Sequence, residues 1–336
     1  MNPAEGRLQQ LAVPAGALGR LADVVRTLAA VQGVERPACR PAQLLVFAAD
    51  HPVAARGVSA YPAAVTPAMV YALATGRAAA AVMARHLGVP VSVIDVGVDA
   101  PYPDPPTPDG IRWRRAAHED PAGDLSVEPA LSSVLLAHCV AVGAGAVAAL
   151  PVETRVLVLG EVGIGNTTAA AALVAALTGR AARDVVGRGT GVDDAGWARK
   201  VAVVQAALDR LGPDPDATRA LAEVGGRELA ALVGAIEAAA AGGLLVIADG
   251  LLIGAALLVA IRRSPSVRGC VIFGHRADET GHRAALDALA GVPLLDLGLR
   301  IGEGTGALAA LPLVDLACAL QREMATFADA AVPDRA

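Results

Sequence analysis

The sequence predicts an α/β fold in which helices cover both faces of a parallel β-sheet. Five short runs are almost continuously apolar and rich in β-branched residues, as in strands that are buried on both faces. Each run is followed by glycine or a polar turn and then by a stretch with helical character, which indicates a three-layer α/β/α sandwich. The five runs are Leu44–Phe47, Val91–Val96, Val156–Leu159, Leu244–Ile247 and Cys270–Phe273.

The composition supplies a large core and argues against some partners. Of the 336 residues 54% are hydrophobic but only 2% are aromatic, so few rings are available to stack on nucleic-acid bases. The net charge of −5 also disfavours a partner with a phosphate backbone, and no nucleic-acid partner is expected. The cysteines lie far apart and predict free thiols in a reducing, cytoplasmic compartment; they are Cys39, Cys139, Cys270 and Cys318.

One window, residues 129–152, contains no Asp, Glu, Lys or Arg and is long enough to cross a bilayer. It is rich in Ala and Gly, contains His138, and is flanked by Glu128 and Glu153 instead of basic anchors. We therefore predict a buried helix and no membrane span. No signal peptide is expected either, because the first ten residues carry charges and lack an apolar core.

Polar residues gather where the predicted strands end. Free backbone N–H groups and helix N-termini converge at this edge of a parallel sheet, so the ligand site is expected there. Residues 1–40 and 312–336 are helical in pattern and contain no predicted strand. We predict that they pair as a small helical domain and that residues 41–311 form the large domain with the site. The polar pairs at the strand ends are Asp50–His51, Gly160–Glu161, Asp249–Gly250 and Gly274–His275.

Three glycine-rich segments precede helical stretches: GEVGIGNTT (160–168), GRGTGVDD (187–194) and GEGTG (302–306). Turns of this kind bring backbone amides close to phosphate groups. None fits a Walker loop, because Lys200 follows Arg199 and does not close a GxxxxGK[ST] pattern. None fits a dinucleotide-binding fingerprint either, because the first β-unit has no GxGxxG turn. The pair Asp193–Asp194 is similar to the acidic pair that binds pyrophosphate-activated ribose, but no strand leads into it. A phosphoribosyltransferase that uses this activated ribose and a non-enzymatic nucleotide-binding module remain as alternatives.

Taken together, these segments resemble the nicotinate-nucleotide–dimethylbenzimidazole phosphoribosyltransferases of cobalamin nucleotide-loop assembly. The similar stretches follow the family's order over nearly the whole chain. They are PAGALGRL (14–21), FAADHPVAARGVSAYP (47–62), GEVGIGNTTAAAAL (160–173), GRGTGVDDAGWARK (187–200), VGGRELAALVGAI (224–236), DGLLIGAALL (249–258), GHRADETGH (274–282) and LDLGLRIGEGTGALAA (295–310).

The resemblance implies that a phosphoribosyl group moves from nicotinate mononucleotide to a benzimidazole nitrogen, with inversion and release of nicotinate. It also implies a homodimer, a Rossmann-like sheet, a small domain built from both termini, and Glu303 as the catalytic base. This chemistry needs one base, because the leaving pyridine nitrogen is already cationic and departs without an acid. No metal and no cofactor are expected, and the histidines show no paired ligand spacing.

The resemblance also places the substrate-binding residues. Lys200 and the glycine-rich turns are expected to hold the phosphate, with Arg188 as a further candidate, and Glu161 is expected to orient the ribose or support the base. Pro52, where the family has glycine, and Arg227, where an aromatic residue is usual, depart from the pattern. The expected apolar wall for the aromatic base is Tyr61, Met69, Val162 and Ile301. The other expected binding residues are Gly163, Asn166, Thr167, Thr168, Gly189, Gly191 and Asp249.

Overall fold

A six-stranded parallel sheet forms the centre of the computed structural model, which describes residues 1–331. The strands are β1 (Ala42–Ala49), β2 (Val91–Gly97), β3 (Ile111–Arg115), β4 (Val156–Val162), β5 (Leu245–Asp249) and β6 (Val271–His275). They lie in the order β3-β2-β1-β4-β5-β6, and every neighbouring pair is parallel. This confirms the predicted fold class.

Five of the strands coincide with the predicted runs, but β3 was not predicted. Its sequence, IRWRR, contains three arginines and no continuous apolar run. Among the described residues this strand pairs with β2 alone, at the end of the sheet, so its side chains are largely exposed and charged residues are tolerated. The apolar-run criterion detects buried strands and therefore misses an edge strand of this kind.

The described residues form thirteen α-helices, most of which pack on one of the two faces of the sheet. Alternate residues of β1 contribute to two separate cores, Leu45 and Phe47 to one and Leu44 and Val46 to the other. The helices are α1 (Glu5–Gln10), α2 (Arg20–Gln32), α3 (Val65–Ala74), α4 (Ala79–His86), α5 (Ser133–Ala148), α6 (Asn166–Thr178), α7 (Ala182–Val185), α8 (Asp194–Leu211), α9 (Ala217–Val224), α10 (Arg227–Ala241), α11 (Gly250–Arg263), α12 (Thr280–Leu289) and α13 (Thr305–Glu323).

The order of the strands fixes where a crevice must form. From β1 the chain builds β2 and β3 on one side, and it then returns to place β4, β5 and β6 on the other side. The connections that leave β1 and β4 therefore run in opposite directions, which opens a gap at the carboxyl ends of these two strands. The sequence motifs at the ends of β1 and β4 meet at this gap.

The two ends of the described chain are in contact. The buried Arg7 donates from Nε to the carbonyl oxygen of Gln321 at 2.5 Å and from Nη2 to that of Met324 at 2.8 Å, and Leu11 forms an antiparallel bridge with Thr326. Helix α13 runs without interruption across position 312, where the sequence places a domain boundary. The division into two domains stays a prediction, and residues 332–336 of the proposed small domain lie outside the described residues.

The window considered as a membrane span, residues 129–152, contains the 16-residue helix α5, which packs against α10. In the described part of the chain, length and composition alone would allow the stretch Val65–His86 to cross a membrane. Half of it is buried within the fold, and it is divided into α3 and α4 by residues 75–78. A buried helix of a folded domain meets the same criteria, so this finding is weak support for a span.

Candidate active site

A cavity of about 240 Å³ opens at the carboxyl ends of β4 and β5, as the sequence predicts. Its walls come from the turn after β4, the start of α11, the segment that leads into α3, and the loop before α13. A larger cavity of about 630 Å³ lies between the β1–β3 end of the sheet and the end of α5, and none of the predicted site residues lines it. The predicted residues that line the first cavity are Tyr61, Met69, Glu161, Val162, Gly163, Asn166, Thr167, Gly189, Asp249, Ile301 and Glu303.

Glu303 is held in the cavity by an unusual backbone conformation. Its φ is +61°, in the left-handed region that side chains other than glycine rarely adopt. The residue lies immediately before Gly304, the N-cap of α13, and its carboxylate accepts a hydrogen bond at 3.1 Å from the backbone N–H of Ala80 in the first turn of α4. Burial raises the pKa of Glu303 above its ordinary value, and the Ala80 N–H opposes this effect. The carboxyl group is therefore a stronger base than an exposed glutamate.

Glu161 lies one residue before the end of β4 and faces the same cavity. Its Oε2 accepts a hydrogen bond from the side-chain amide of Asn166 in the first turn of α6. A Cβ atom at Gly302 would lie 2.6 Å from Oε1 of Glu161, so only glycine leaves room for the carboxyl group there. Burial first, and then the charges of Glu228, Asp249 and Glu303, raise the pKa of Glu161 to about 8. At neutral pH this carboxyl group is largely protonated.

Asp249 ends β5 and supplies a third carboxyl group. Its Oδ2 accepts a hydrogen bond at 3.0 Å from the backbone N–H of Gly306 in the first turn of α13. A Cβ at Gly306 would lie 2.3 Å from Oδ1 of Asp249, so this contact also requires glycine. Burial raises the pKa of Asp249 to about 7, although the Gly306 N–H opposes the shift. The cavity therefore contains three carboxyl groups that are not all ionised at neutral pH.

A cationic corner lies beside these carboxyl groups. Lys200 is 1% exposed, and its Nζ donates to the hydroxyl of Thr167, which lines the cavity, at 2.6 Å. A Cβ at Gly189 would lie 2.9 Å from that Nζ, which places the ammonium group against the turn 187–191. Burial lowers the pKa of Lys200 to about 8, and the charge of Glu279 opposes this. The ammonium group and the Gly189 turn together suit an anion such as phosphate.

The apolar wall contains the four side chains predicted for it. Val162 is buried, Met69 is half-buried, and Tyr61 and Ile301 are each 55% exposed at the mouth of the cavity. A flat aromatic ring would cover the exposed parts of Tyr61 and Ile301, which makes this side of the cavity suitable for a planar apolar ligand.

Three predicted binding residues do not line the cavity. Thr168 is fully buried in α6, Gly191 is an exposed turn residue, and Lys200 reaches the cavity only through Thr167 and the Gly189 turn. Arg188 is also directed elsewhere, because its guanidinium pairs with Asp194 at 2.5 Å on the surface. Helical and glycine-rich motifs identify a segment, but they do not show which of its residues faces inward.

Several cavity residues were not identified from the sequence. Glu279 lines the cavity and belongs to the motif GHRADETGH, so the sequence could have identified it as the acidic residue directly before α12. Thr66 accepts from the N–H of Ile164 at 3.1 Å, and Thr190 accepts from the N–H of Ala60 at 3.0 Å. Each of these two threonines holds another segment of the cavity wall, and their roles depend on long-range contacts that leave no local sequence signal.

The two departures from the family pattern lie outside the cavity lining. Pro52 begins a short 3-10 helix, Pro52–Arg56, directly after His51. His51 is buried and its Nε2 lies 2.7 Å from Oε1 of Glu228. Arg227 is buried and donates to the carbonyl oxygen of Gly97 at 2.9 Å and to Asp99 at 3.0 Å. Arg227 therefore supports the loop after β2 and does not narrow the apolar wall.

The acidic pair that suggested pyrophosphate-activated ribose has other partners. Asp193 is the N-cap of α8 and accepts from the N–H of Gly196 at 2.7 Å, while Asp194 pairs with Arg188. Neither residue lines the cavity. Among residues 1–331, no group of three or more His, Cys, Asp or Glu side chains is arranged to hold a metal ion.

Comparison with known proteins shows the family of the chain. A family model described as phosphoribosyltransferase matches residues 1–332. A nicotinate-nucleotide–dimethylbenzimidazole phosphoribosyltransferase of Chloroflexus aurantiacus is 46% identical and covers 99% of this chain and 94% of its own length. A relative of the same name from a Bradyrhizobium species is 47% identical, and the match covers 98% of this chain and 93% of the relative.

A solved structure described as CobT from Thermus thermophilus superposes with a TM-score of 0.92 at 41% identity, and the match covers 99% of this chain and 98% of that one. The matches extend over nearly the whole chain, and the family model spans all the segments that build the cavity. The chain belongs to the nicotinate-nucleotide–dimethylbenzimidazole phosphoribosyltransferase family.

Proposed function

We propose that the protein transfers the 5-phosphoribosyl group of nicotinate mononucleotide to 5,6-dimethylbenzimidazole or a related base, with Glu303 as the general base. The products are α-ribazole 5′-phosphate and nicotinate, and the reaction serves the lower ligand of cobalamin. The observation that carries the proposal is the buried carboxyl group of Glu303, whose pKa is raised, in a cavity with an apolar wall on one side and a cationic corner on another.

The reaction requires little from the protein at the leaving group. The glycosidic C–N bond breaks, and its electron pair neutralises the pyridinium nitrogen of the departing nicotinate. One nitrogen of the benzimidazole forms the new bond to the anomeric carbon, while its other nitrogen must lose a proton. Glu303 accepts that proton, which explains why a single base with a raised pKa is sufficient.

The other groups of the cavity have separate roles in this proposal. The Gly189 turn and Lys200 bind the phosphate, and Tyr61 and Ile301 cover the aromatic base. Glu161, which is largely protonated at neutral pH, donates a hydrogen bond to the ribose or the base. A neutral Glu161 also limits the negative charge near Glu303. Glu303 can then remain ionised, which is the form that accepts a proton.

The proposal extends to a homodimer in the cytoplasm that requires no cofactor. The segment before Glu303 exposes Val292 and Leu297 outside the cavity, and apolar residues exposed in one segment are typical of an interface. The cysteines of the described chain form no disulfide, which agrees with a reducing compartment. Sedimentation equilibrium tests the dimer, and a mass equal to one chain at micromolar concentration would contradict it.

The decisive assay incubates purified protein with nicotinate mononucleotide and 5,6-dimethylbenzimidazole and measures the release of nicotinate. Glu303→Gln should lower turnover by roughly 10²- to 10⁴-fold, because it removes the proton acceptor. Glu153→Gln, the same change at an exposed residue, should leave turnover unchanged. An unchanged rate in Glu303→Gln would remove Glu303 from this role, and no release with any tested base would refute the function.

A further inference from the structure

Glu279 lies at the cationic corner of the cavity, together with the groups that are expected to hold phosphate. It is half-buried, it directly precedes α12, and it lines the same cavity as Thr167 and Gly189. A Cβ at Gly187 would lie 2.2 Å from Oε2 of Glu279, so the carboxylate rests directly on the backbone of the turn that carries Gly189. Glu279 therefore brings a negative charge into a corner that otherwise suits an anionic ligand.

Lys200 carries a buried positive charge that nearby groups neutralise only weakly. In the described part of the chain the ammonium group makes a hydrogen bond only to the neutral hydroxyl of Thr167, and it forms no ion pair within 4.0 Å. A buried ammonium group without a charged partner is costly, so a nearby negative charge is favourable. Glu279 supplies that charge, since its presence raises the pKa of Lys200 against the effect of burial.

The same corner controls the ionisation of Glu279. Burial raises its pKa, whereas Lys200, Arg300 and the Gly189 N–H lower it and the neighbouring Asp278 raises it further. Gly189 and Arg300 line the cavity, and Nζ of Lys200 lies against the Gly189 turn, where the phosphate is expected to bind. A bound phosphate would take over these three interactions and place two more negative charges beside the carboxylate.

We propose that Glu279 is the internal counter-ion of Lys200 in the free protein, and that it takes up a proton when a phosphate monoester binds at the Gly189 turn. The proposal rests on the proposed function, because it identifies this corner as the phosphate subsite. It makes Glu279 a positioning residue that couples nucleotide binding to protonation. Phosphate affinity then falls as the pH rises through the pKa of Glu279 in the free protein.

The proton uptake can be measured in the unmodified protein. Titration calorimetry with nicotinate mononucleotide, and separately with inorganic phosphate, is repeated at constant pH in buffers of different ionisation enthalpy. The slope of the observed heat against that enthalpy gives the number of protons taken up. We expect net uptake by the wild type with both ligands and none with nicotinate riboside, which lacks the phosphate.

A matched pair of variants assigns the proton to its residue. Glu279→Gln should reduce the number of protons taken up and raise the affinity for phosphate by roughly tenfold near neutral pH, because one adjacent negative charge is removed. Asp287→Asn removes a charge of the same sign from α12, at an exposed side chain that pairs with Arg180 and lies outside the cavity lining. It should leave the number of protons unchanged. Other groups in or beside the cavity also titrate, namely Glu161, Asp249, Glu303 and Lys200. Both variants keep these groups, so the difference in proton number between the two variants reports Glu279.

The outcomes separate this inference from the proposed function. Equal proton uptake in wild type and Glu279→Gln, or no gain of phosphate affinity in Glu279→Gln, overturns the inference even if nicotinate is released normally. Failure of the wild type to bind phosphate also overturns it. Coupled uptake that Glu279→Gln reduces would support the inference even in a preparation that releases no nicotinate, since the binding experiment does not require turnover.

Discussion

Replacing Lys200 with methionine should make the protein more stable. The pKa of Lys200 falls from its ordinary value of 10.5 to about 8 because the ammonium group is buried. At about 1.36 kcal/mol for each pKa unit, the buried charge costs roughly 3 kcal/mol of folding free energy. Methionine has a similar length and no charge, and the lost hydrogen bond to Thr167 offsets about 1 kcal/mol. The expected net gain at neutral pH is therefore about 2 kcal/mol.

The pH dependence of this gain follows from linkage. The folded-state pKa of Lys200 is lower than the unfolded-state value, so the unfolded chain binds more protons between about pH 8 and pH 10.5. The free energy of unfolding of the wild type should therefore rise with pH across this window, relative to that of Lys200→Met. Below about pH 8 the full cost of the buried charge is present, and above pH 10.5 it is absent.

Urea unfolding followed by far-UV circular dichroism, at about pH 7 and about pH 10 in buffers without phosphate, measures both effects. Arg199→Met removes the exposed neighbouring charge and should change the free energy of unfolding by no more than about 0.5 kcal/mol. A Lys200→Met protein that is less stable than the wild type at neutral pH, with an unchanged m-value, would refute the reasoning. The same variant should lose affinity for phosphate.

Three further predictions concern the carboxyl groups. The acidic limb of the profile of kcat against pH should lie above pH 4.5, because burial raises the pKa of Glu303. The profile is measured from nicotinate release, and an acidic limb at or below pH 4.5 would contradict the prediction. Gly306→Ala should lower turnover by roughly tenfold or more with little loss of helical circular dichroism, since its Cβ would lie 2.3 Å from Asp249. Glu228→Gln should lower the pKa of Glu161, because the substitution removes a negative charge that raises this pKa. Carbon NMR of labelled glutamate measures the titration of Glu161, and an unchanged titration would exclude the coupling.

Controls for these variants are present in the chain. Gly145→Ala makes the same substitution in α5 at a position where a Cβ would meet nothing within 4 Å, so turnover should not change. Glu237→Gln removes a charge from α10, the helix of Glu228, at a residue that pairs with Arg263. It should not alter the titration of Glu161. A loss of turnover in Gly145→Ala would show that the effect of Gly306→Ala is not specific to the cavity.

The strands and the position of the site were predictable because both depend on local pattern. Buried parallel strands must be apolar on both faces, and the ligand site of such a sheet lies at the strand ends. The edge strand β3 fails the first condition, so its arginine-rich sequence gave no signal. Glu161, Asp249 and Glu303 were identifiable because each lies at a strand end or in a glycine-rich turn.

The orientation of side chains within these motifs was not predictable. Thr167 faces the cavity while its neighbour Thr168 is buried in the core, a difference that depends on how α6 packs and not on residue type. The burial of Lys200 was equally hidden, because α8 has the amphipathic pattern of a surface helix. Glu279 escaped notice because its significance depends on Lys200, which is distant in sequence and adjacent only in the folded chain.

The left-handed conformation of Glu303 has a consequence for the protein under selection. A non-glycine residue at this φ costs roughly 1 kcal/mol, and burial of its carboxyl group adds to that cost. Glycine at position 303 would relieve both costs, although it would lose the hydrogen bond from Ala80 and make the unfolded chain more flexible. A laboratory library screened for heat resistance alone should therefore enrich glycine at this position and yield robust but inactive proteins. Retention of glutamate would indicate that the library is also being selected for activity.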